Sequence, residues 1–160
     1  MSKLSHVDGQ GQASMVDVGD KAVSRRQAQA QVTVMLNPET FDMVEQNRVA
    51  KGDVLAVARL AGIQAAKRTD DLIPLCHTIG LDHVDISFVL SRDKFAIAIR
   101  SAVSCSGRTG VEMEALTACS VAALCIYDML KAVQRDIRIT DLLLLKKEGG
   151  ASGVYERSSA

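Results

Sequence analysis

Hydrophobic and polar positions alternate with a period of two in four stretches of the chain, the spacing that turns one face of a strand inward. In the first, Ala30, Val32, Val34 and Leu36 share a face, with Gln31 and Thr33 opposite. In the second, Val84, Ile86, Phe88 and Leu90 alternate with Asp85 and Ser87. Ser91-Arg92-Asp93-Lys94 reads as a hairpin turn into a third strand carrying Phe95, Ile97, Ile99 and Val103. The fourth runs from Ile137 to Leu145, and its Leu-rich end suits burial on both faces. Three further stretches carry helix signals. Asn37-Pro38-Glu39 offers an N-cap and a first-turn proline for a helix to about Gln46. Asp53 caps a helix through Arg68, with Val54, Val57, Ala58, Ala61 and Ala65 on one stripe. Thr109-Gly110-Val111-Glu112 fits a capping box that opens a long helix to about Gln134.

With the first two helices taken as one crossover, the order strand, helix, strand, strand, helix, strand is a split β-α-β. It predicts an α+β, ferredoxin-like sandwich: a four-stranded antiparallel sheet with helices packed on one face. Residues 15–148 form a single domain in this reading. The polar segment 1–14 and the segment 149–160, which opens GGASG, have the composition of flexible tails.

Composition narrows the chemistry. A length of 160 residues, 48% of them hydrophobic, is enough to fold without a metal or disulfide staple. Nineteen basic and nineteen acidic residues leave no net charge, so anion binding has to be local. Five aromatic residues are too few for a base-stacking surface, and the RNP1 pattern of RNA-binding modules is absent. The longest uncharged apolar run, Val121 to Tyr127, is far short of the roughly 20 residues of a membrane span. The first residues lack the apolar core of a secretory signal. Cys76, Cys105, Cys119 and Cys125 form no CxxC pair. Reduced thiols in a cytoplasmic protein without nucleic-acid or membrane partners follow as the expectation.

Asp128 and Lys131 are neighbours on the face of the long helix, interrupting the apolar run Val121 to Leu130. They are either an ion pair at a helix edge or an acid and a base with mutually adjusted pKa values. Glu114 falls on nearly the same face as Asp128, but about 21 Å away along the axis. Two such carboxylates serve one site only if the ligand is long or a second subunit contributes. Glu112 reads first as the partner of the Thr109 cap. Lys67 and Arg68 end a helix whose dipole welcomes cations. Arg108, in SGRTG, precedes a helix start able to hold a phosphate, although no Walker pattern is present. Cys76-His77 followed by His83 matches no zinc spacing, and adjacent Cys and His make a poor nucleophile pair, which leaves a loop histidine able to hydrogen-bond a ligand. Two classes fit: an enzyme acting on a phosphorylated small molecule, or a non-catalytic nucleotide-binding ferredoxin-like module.

Several long blocks then narrow the choice. Met15-Val16-Asp17-Val18, KGDVLAVARLAGIQAAKRT (51–69), DLIPLCH (71–77), TGVEMEALTACSVAALCIYDMLKAVQ (109–134) and LLKKEGG (144–150) closely resemble the molybdenum cofactor biosynthesis protein C family, the cyclic pyranopterin monophosphate synthases. The resemblance implies a lyase using general acid/base catalysis. It converts a cyclised dihydro-GTP, supplied by a radical GTP cyclase, to cyclic pyranopterin monophosphate and pyrophosphate. That reaction needs proton transfers and charge stabilisation, and no cofactor or metal is called for. By resemblance, Asp128, Lys51 and Lys131 are the catalytic candidates. Leu75, Cys76 and His77 form one wall of the substrate site and Met113 and Glu114 another. Arg26, Lys67, Arg68, Lys21, Arg108 and Lys147 supply cations for the triphosphate, with Glu112 nearby. Crowded cations would depress the lysine pKa values. Family members are homohexamers, trimers of dimers, with sites at subunit boundaries. The chain departs from the expected pattern at Thr78, where proline is expected after His77, and this loosens the assignment of His77.

Overall fold

The computed structural model describes residues 10–158, so His6 and most of the N-terminal segment lie outside the described residues. The elements are β1 (Ser24–Met35), α1 (Pro38–Glu45), α2 (Val54–Ala66), α3 (Thr69–Leu72), β2 (His83–Ser91), β3 (Ala96–Gly107), α4 (Glu112–Leu130), β4 (Arg138–Glu148) and β5 (Tyr155–Glu156). The sheet order is β2-β3-β1-β4-β5 and every pairing is antiparallel. Its first four strands have the ferredoxin-like arrangement that the pattern predicts. The fifth is a two-residue addition that pairs Tyr155 and Glu156 with Lys147 and Lys146, inside the segment read as a tail.

The alternation decides which face is covered. Ala28, Ala30, Val32 and Val34 of β1 and Ile97, Ile99, Val103 and Cys105 of β3 point into the core, while Gln29 and Arg100 stay exposed. Helix α4 lies across these strands and buries Ala115, Ala118, Cys119, Ala122, Ala123, Ile126 and Leu130. Burying a side chain such as Ile126 or Leu130 stabilises the fold by about 1.5–3 kcal/mol. Although α4 is long and apolar enough to cross a membrane by length and composition, half of its apolar window is buried against the sheet and α2.

Local signals explain the element ends, with three differences. Asn37 caps α1 by accepting from the Thr40 N–H at 2.7 Å, and Asp53 caps α2 by accepting from Ala56 at 2.9 Å. The capping box at Thr109 does not form: α4 starts at Glu112, with Val111 at the N-cap and no side-chain cap. Both long helices end earlier than their periodicity, at Ala66 and Leu130, because Lys67 and Lys131 close the last turns. Phe95 takes a positive φ of 47° and belongs to the hairpin turn, so β3 begins one residue later. The turn residue Arg92 donates to Asp42 at 2.9 Å and lies over Phe41, tying the hairpin to α1.

Candidate active site

The α4 N-terminus, the 73–79 loop and residues 16–21 enclose a depression of about 360 Å³. Leu75, Cys76, His77, Met113 and Glu114, the five wall residues, all line it, together with Glu112. Position and charge combine at Glu114. It is the third residue of α4, it lines the depression, and only 4% of it is exposed. Burial, reinforced by the Glu112 and Asp70 carboxylates, pushes its pKa from 4.5 to about 7. Burial, then the Glu114 and Asp70 carboxylates, hold the Cys76 thiol above its ordinary value, so it is a neutral wall rather than a nucleophile. His77 Nε2 lies 2.8 Å from the Val16 carbonyl, which ties the chain entering the domain to the loop. Thr78, where proline was expected, donates to Asp70 at 2.6 Å, and this bond restrains the loop where a ring would have done so.

A second depression of about 230 Å³ adjoins the first and shares Lys21, Thr109, Gly110 and Glu112 with it. Its other walls carry Arg108, Arg26 and Lys147, with Glu148 and Ser152. Since no capping box forms, Glu112 is released from its expected partner, and its carboxylate folds over Gly110, where a Cβ would meet Oε2 at 1.9 Å. Four of the six cations assigned to the triphosphate therefore meet here. Lys67 and Arg68 do not: they are exposed at the end of α2 and line neither depression. Arg26 differs from the other three, being 8% exposed and donating to two backbone carbonyls.

The remaining candidates form a separate cluster at the far end of α4. Lys131 Nζ lies 2.6 Å from Asp128 Oδ1, and Lys51 Nζ donates to the Asp128 carbonyl at 2.8 Å with Oδ2 at 3.9 Å. The sequence leaves this pair as either an ion pair at a helix edge or an acid and a base with mutually adjusted pKa values. In the protomer the Asp128 side chain is 62% and that of Lys131 54% exposed, because both lie on the outward side of α4 while Met129 and Leu130 beside them are buried. The hydrogen bond and charge of Lys131, then the charge of Lys51, hold the Asp128 carboxyl below its ordinary value. Asp128 in turn raises the Lys131 amine, the reverse of the depression expected from crowded cations. Between the two clusters, Leu124 on the outer side of α4 is 58% exposed, and Leu116, Ser120 and Val121 are half-buried.

Sequence reasoning missed the contribution of Val16, Val18, Ile79 and Ser152 to the walls. The Met15–Val18 block, which opens the domain directly after the segment 1–14, carried the signal for the first two.

Residues 15–150 match the model of the MoaC family. The chain is 56% identical to a cyclic pyranopterin monophosphate synthase of Herpetosiphon aurantiacus over 96% of its own length and 93% of that protein. It is 55% identical to one of Dinoroseobacter shibae, covering 98% and 99% of the two chains. A relative of the same name from Chloroflexus aurantiacus is 52% identical over 98% of this chain and 96% of its own.

Proposed function

The chain belongs to the MoaC family, and from that membership we propose that it is an enzyme of molybdenum cofactor biosynthesis, forming cyclic pyranopterin monophosphate and pyrophosphate from a cyclised dihydroguanosine triphosphate. The observation that carries this reading is the meeting of Leu75–His77 and Met113–Glu114 with Lys21, Arg108 and Lys147 in two adjoining depressions. The larger suits the ring system, with a protonated or ionised Glu114 facing its nitrogens near neutral pH. The smaller suits the triphosphate, whose charge the three cations offset.

The reaction opens the five-membered ring, closes the pterin ring, and joins a ribose-derived hydroxyl to the α-phosphate as pyrophosphate leaves. Asp128, Lys51 and Lys131 carry the proton transfers of this lyase by general acid/base catalysis. At neutral pH the trio enters as one carboxylate and at least one ammonium, which suits a proton donor in Lys131. It stands at the wrong end of α4 to serve its own protomer's depressions, and a second copy supplies it. Val121 is midway between Glu114 and Asp128, so a two-fold axis beside Val121 sets the start of one α4 against the end of its partner. The half-apolar strip through Leu116, Ser120 and Leu124 covers such a contact. The assembly proposed is a cytoplasmic homohexamer, a trimer of these dimers, acting downstream of a radical GTP cyclase.

Lys51→Ala and Lys131→Ala should each keep the fold, since solvent-exposed ion pairs contribute little to stability, and each should abolish product formation from intact substrate. Wild-type turnover in either would remove the proton-transfer assignment. Asp128→Asn lowering stability without slowing turnover would leave its ion pair a surface feature only.

A further inference from the structure

Arg26 is the cation of the smaller depression that the proposed chemistry explains least. A phosphate ligand presents its N–H groups to solvent, whereas Arg26 is nearly buried and has committed two of them: Nε donates to the Gly107 carbonyl and Nη2 to the Arg108 carbonyl, both at 3.2 Å. The remaining nitrogen, Nη1, lies against the turn that follows β4. A Cβ on Gly150 would stand 1.6 Å from Nη1, and one on Gly149 would stand 2.2 Å from the Arg25 carbonyl oxygen and 3.1 Å from Arg26 Cδ. Both glycines have positive φ, 94° and 80°. The pair is therefore required twice, by backbone conformation and by contact.

From this turn the chain doubles back along β4. Tyr155 and Glu156 pair with Lys147 and Lys146, and Arg157 donates its N–H to Leu145 at 2.8 Å and its Nε to Leu144 at 3.1 Å. Lys147 Nζ donates to Ser152 Oγ inside the loop. Gly149, Ala151 and Ser152 thus form one wall of the smaller depression, and Arg108–Gly110 another. The Arg26 guanidinium is the piece common to both.

We propose that Arg26 is a positioning residue that acts through these two walls: it fastens the Gly107–Arg108 backbone, seats the Gly149–Gly150 turn, and so holds residues 149–157 as a strap that sets the reach of Lys147 and Arg108 toward a bound phosphate chain. The inference rests on the reading of this depression as the phosphate end of the site. It gives the terminal glycines of the LLKKEGG block a purpose. A lysine keeps the charge of Arg26 but has no fork to span two carbonyls.

The test compares Arg26→Lys, which keeps the charge, with Gly150→Ala, which keeps every cation. Two measurements are made on the full chain: calorimetric binding of inorganic tripolyphosphate, and backbone hydrogen exchange. Both variants should bind tripolyphosphate about tenfold more weakly, as displaced ligands do, and both should exchange faster at 155–157 with the rest of the sheet unchanged. Wild-type affinity in either variant overturns the proposal, whether or not exchange rises, and so does unchanged exchange in either. If the wild-type chain itself fails to bind tripolyphosphate, the phosphate reading falls, and the exchange data still decide whether Arg26 holds the strap.

Discussion

Glu114 makes a stability prediction of its own, because its carboxyl is buried and the charges that act on it, those of Glu112 and Asp70, are negative. The unfolded chain gives up this proton near the ordinary value of 4.5, and the folded one keeps it to about 7. Between those values the unfolded state binds fewer protons, so stability falls as pH rises through the window and is level above it. Glu114→Gln removes the ionisation, and the variant should gain about 2 kcal/mol on wild type between pH 5 and pH 8, measured by urea unfolding at both. An equal difference at the two pH values would mean that the folded chain does not hold the Glu114 pKa above its ordinary value. That Leu75–His77 and Met113–Glu114 come together was legible in the blocks 71–77 and 109–134, yet this burial was not. Helix angle sets Glu114 on nearly the same face as Asp128, and their exposure differs by what covers that face: the 73–79 loop and residues 16–21 meet α4 at Glu114, while Asp128 lies uncovered although Met129 and Leu130 beside it are buried.

At the scale of the elements, the contact between α2 and α4 depends on small residues. Gly62 of α2 faces Ala118 and Ala122 of α4, and a Cβ there would stand 2.2 Å from Ile86 Cδ1 and 2.9 Å from the Ala118 carbonyl oxygen. Alanine would raise helix propensity by about 1 kcal/mol, but crowding costs about 1–3 kcal/mol, and a backbone oxygen cannot rotate away. Gly62→Ala should lower the stability of the folded chain by about 1 kcal/mol, seen as an earlier urea midpoint with an unchanged slope. The same residues explain why the α2 stripe was read one step off. Val57 belongs to the apolar periodicity and is exposed, whereas Gly62 and Ala66, with little hydrophobic signal, are buried. The first half of β1 was invisible for a related reason: its inward residues from Ser24 to Gln29 are Arg26 and Ala28, and polar side chains alternate with them. The Thr109–Glu112 pattern satisfied the capping-box spacing, but the backbone at Gly110 and Val111 is not yet helical, so Glu112 opens the helix and turns to the site.

For the whole molecule, the strand order was legible because four alternating strands and a crossover leave few ways to cover one face of a sheet. Where the chemistry gathers was legible only in part. The chain brings ten of the expected residues to two adjoining depressions and keeps Lys51, Asp128 and Lys131 together about 21 Å away along α4. Sequence separation and helix rise fix that distance, and no rearrangement of a folded protomer removes it. Joining both clusters in one site therefore takes two copies of the chain, which a mixture of two disabled chains tests most directly. Lys131→Ala keeps the depressions and loses an amine, while Glu114→Ala keeps the amines and loses a wall, and each alone should be inactive. Co-refolded in equal amounts, half of the dimers would be mixed, each with one intact site, so turnover should return to about a quarter of wild type. A mixture as inactive as its parts, with mixed dimers demonstrated by mass spectrometry, would contradict a shared site.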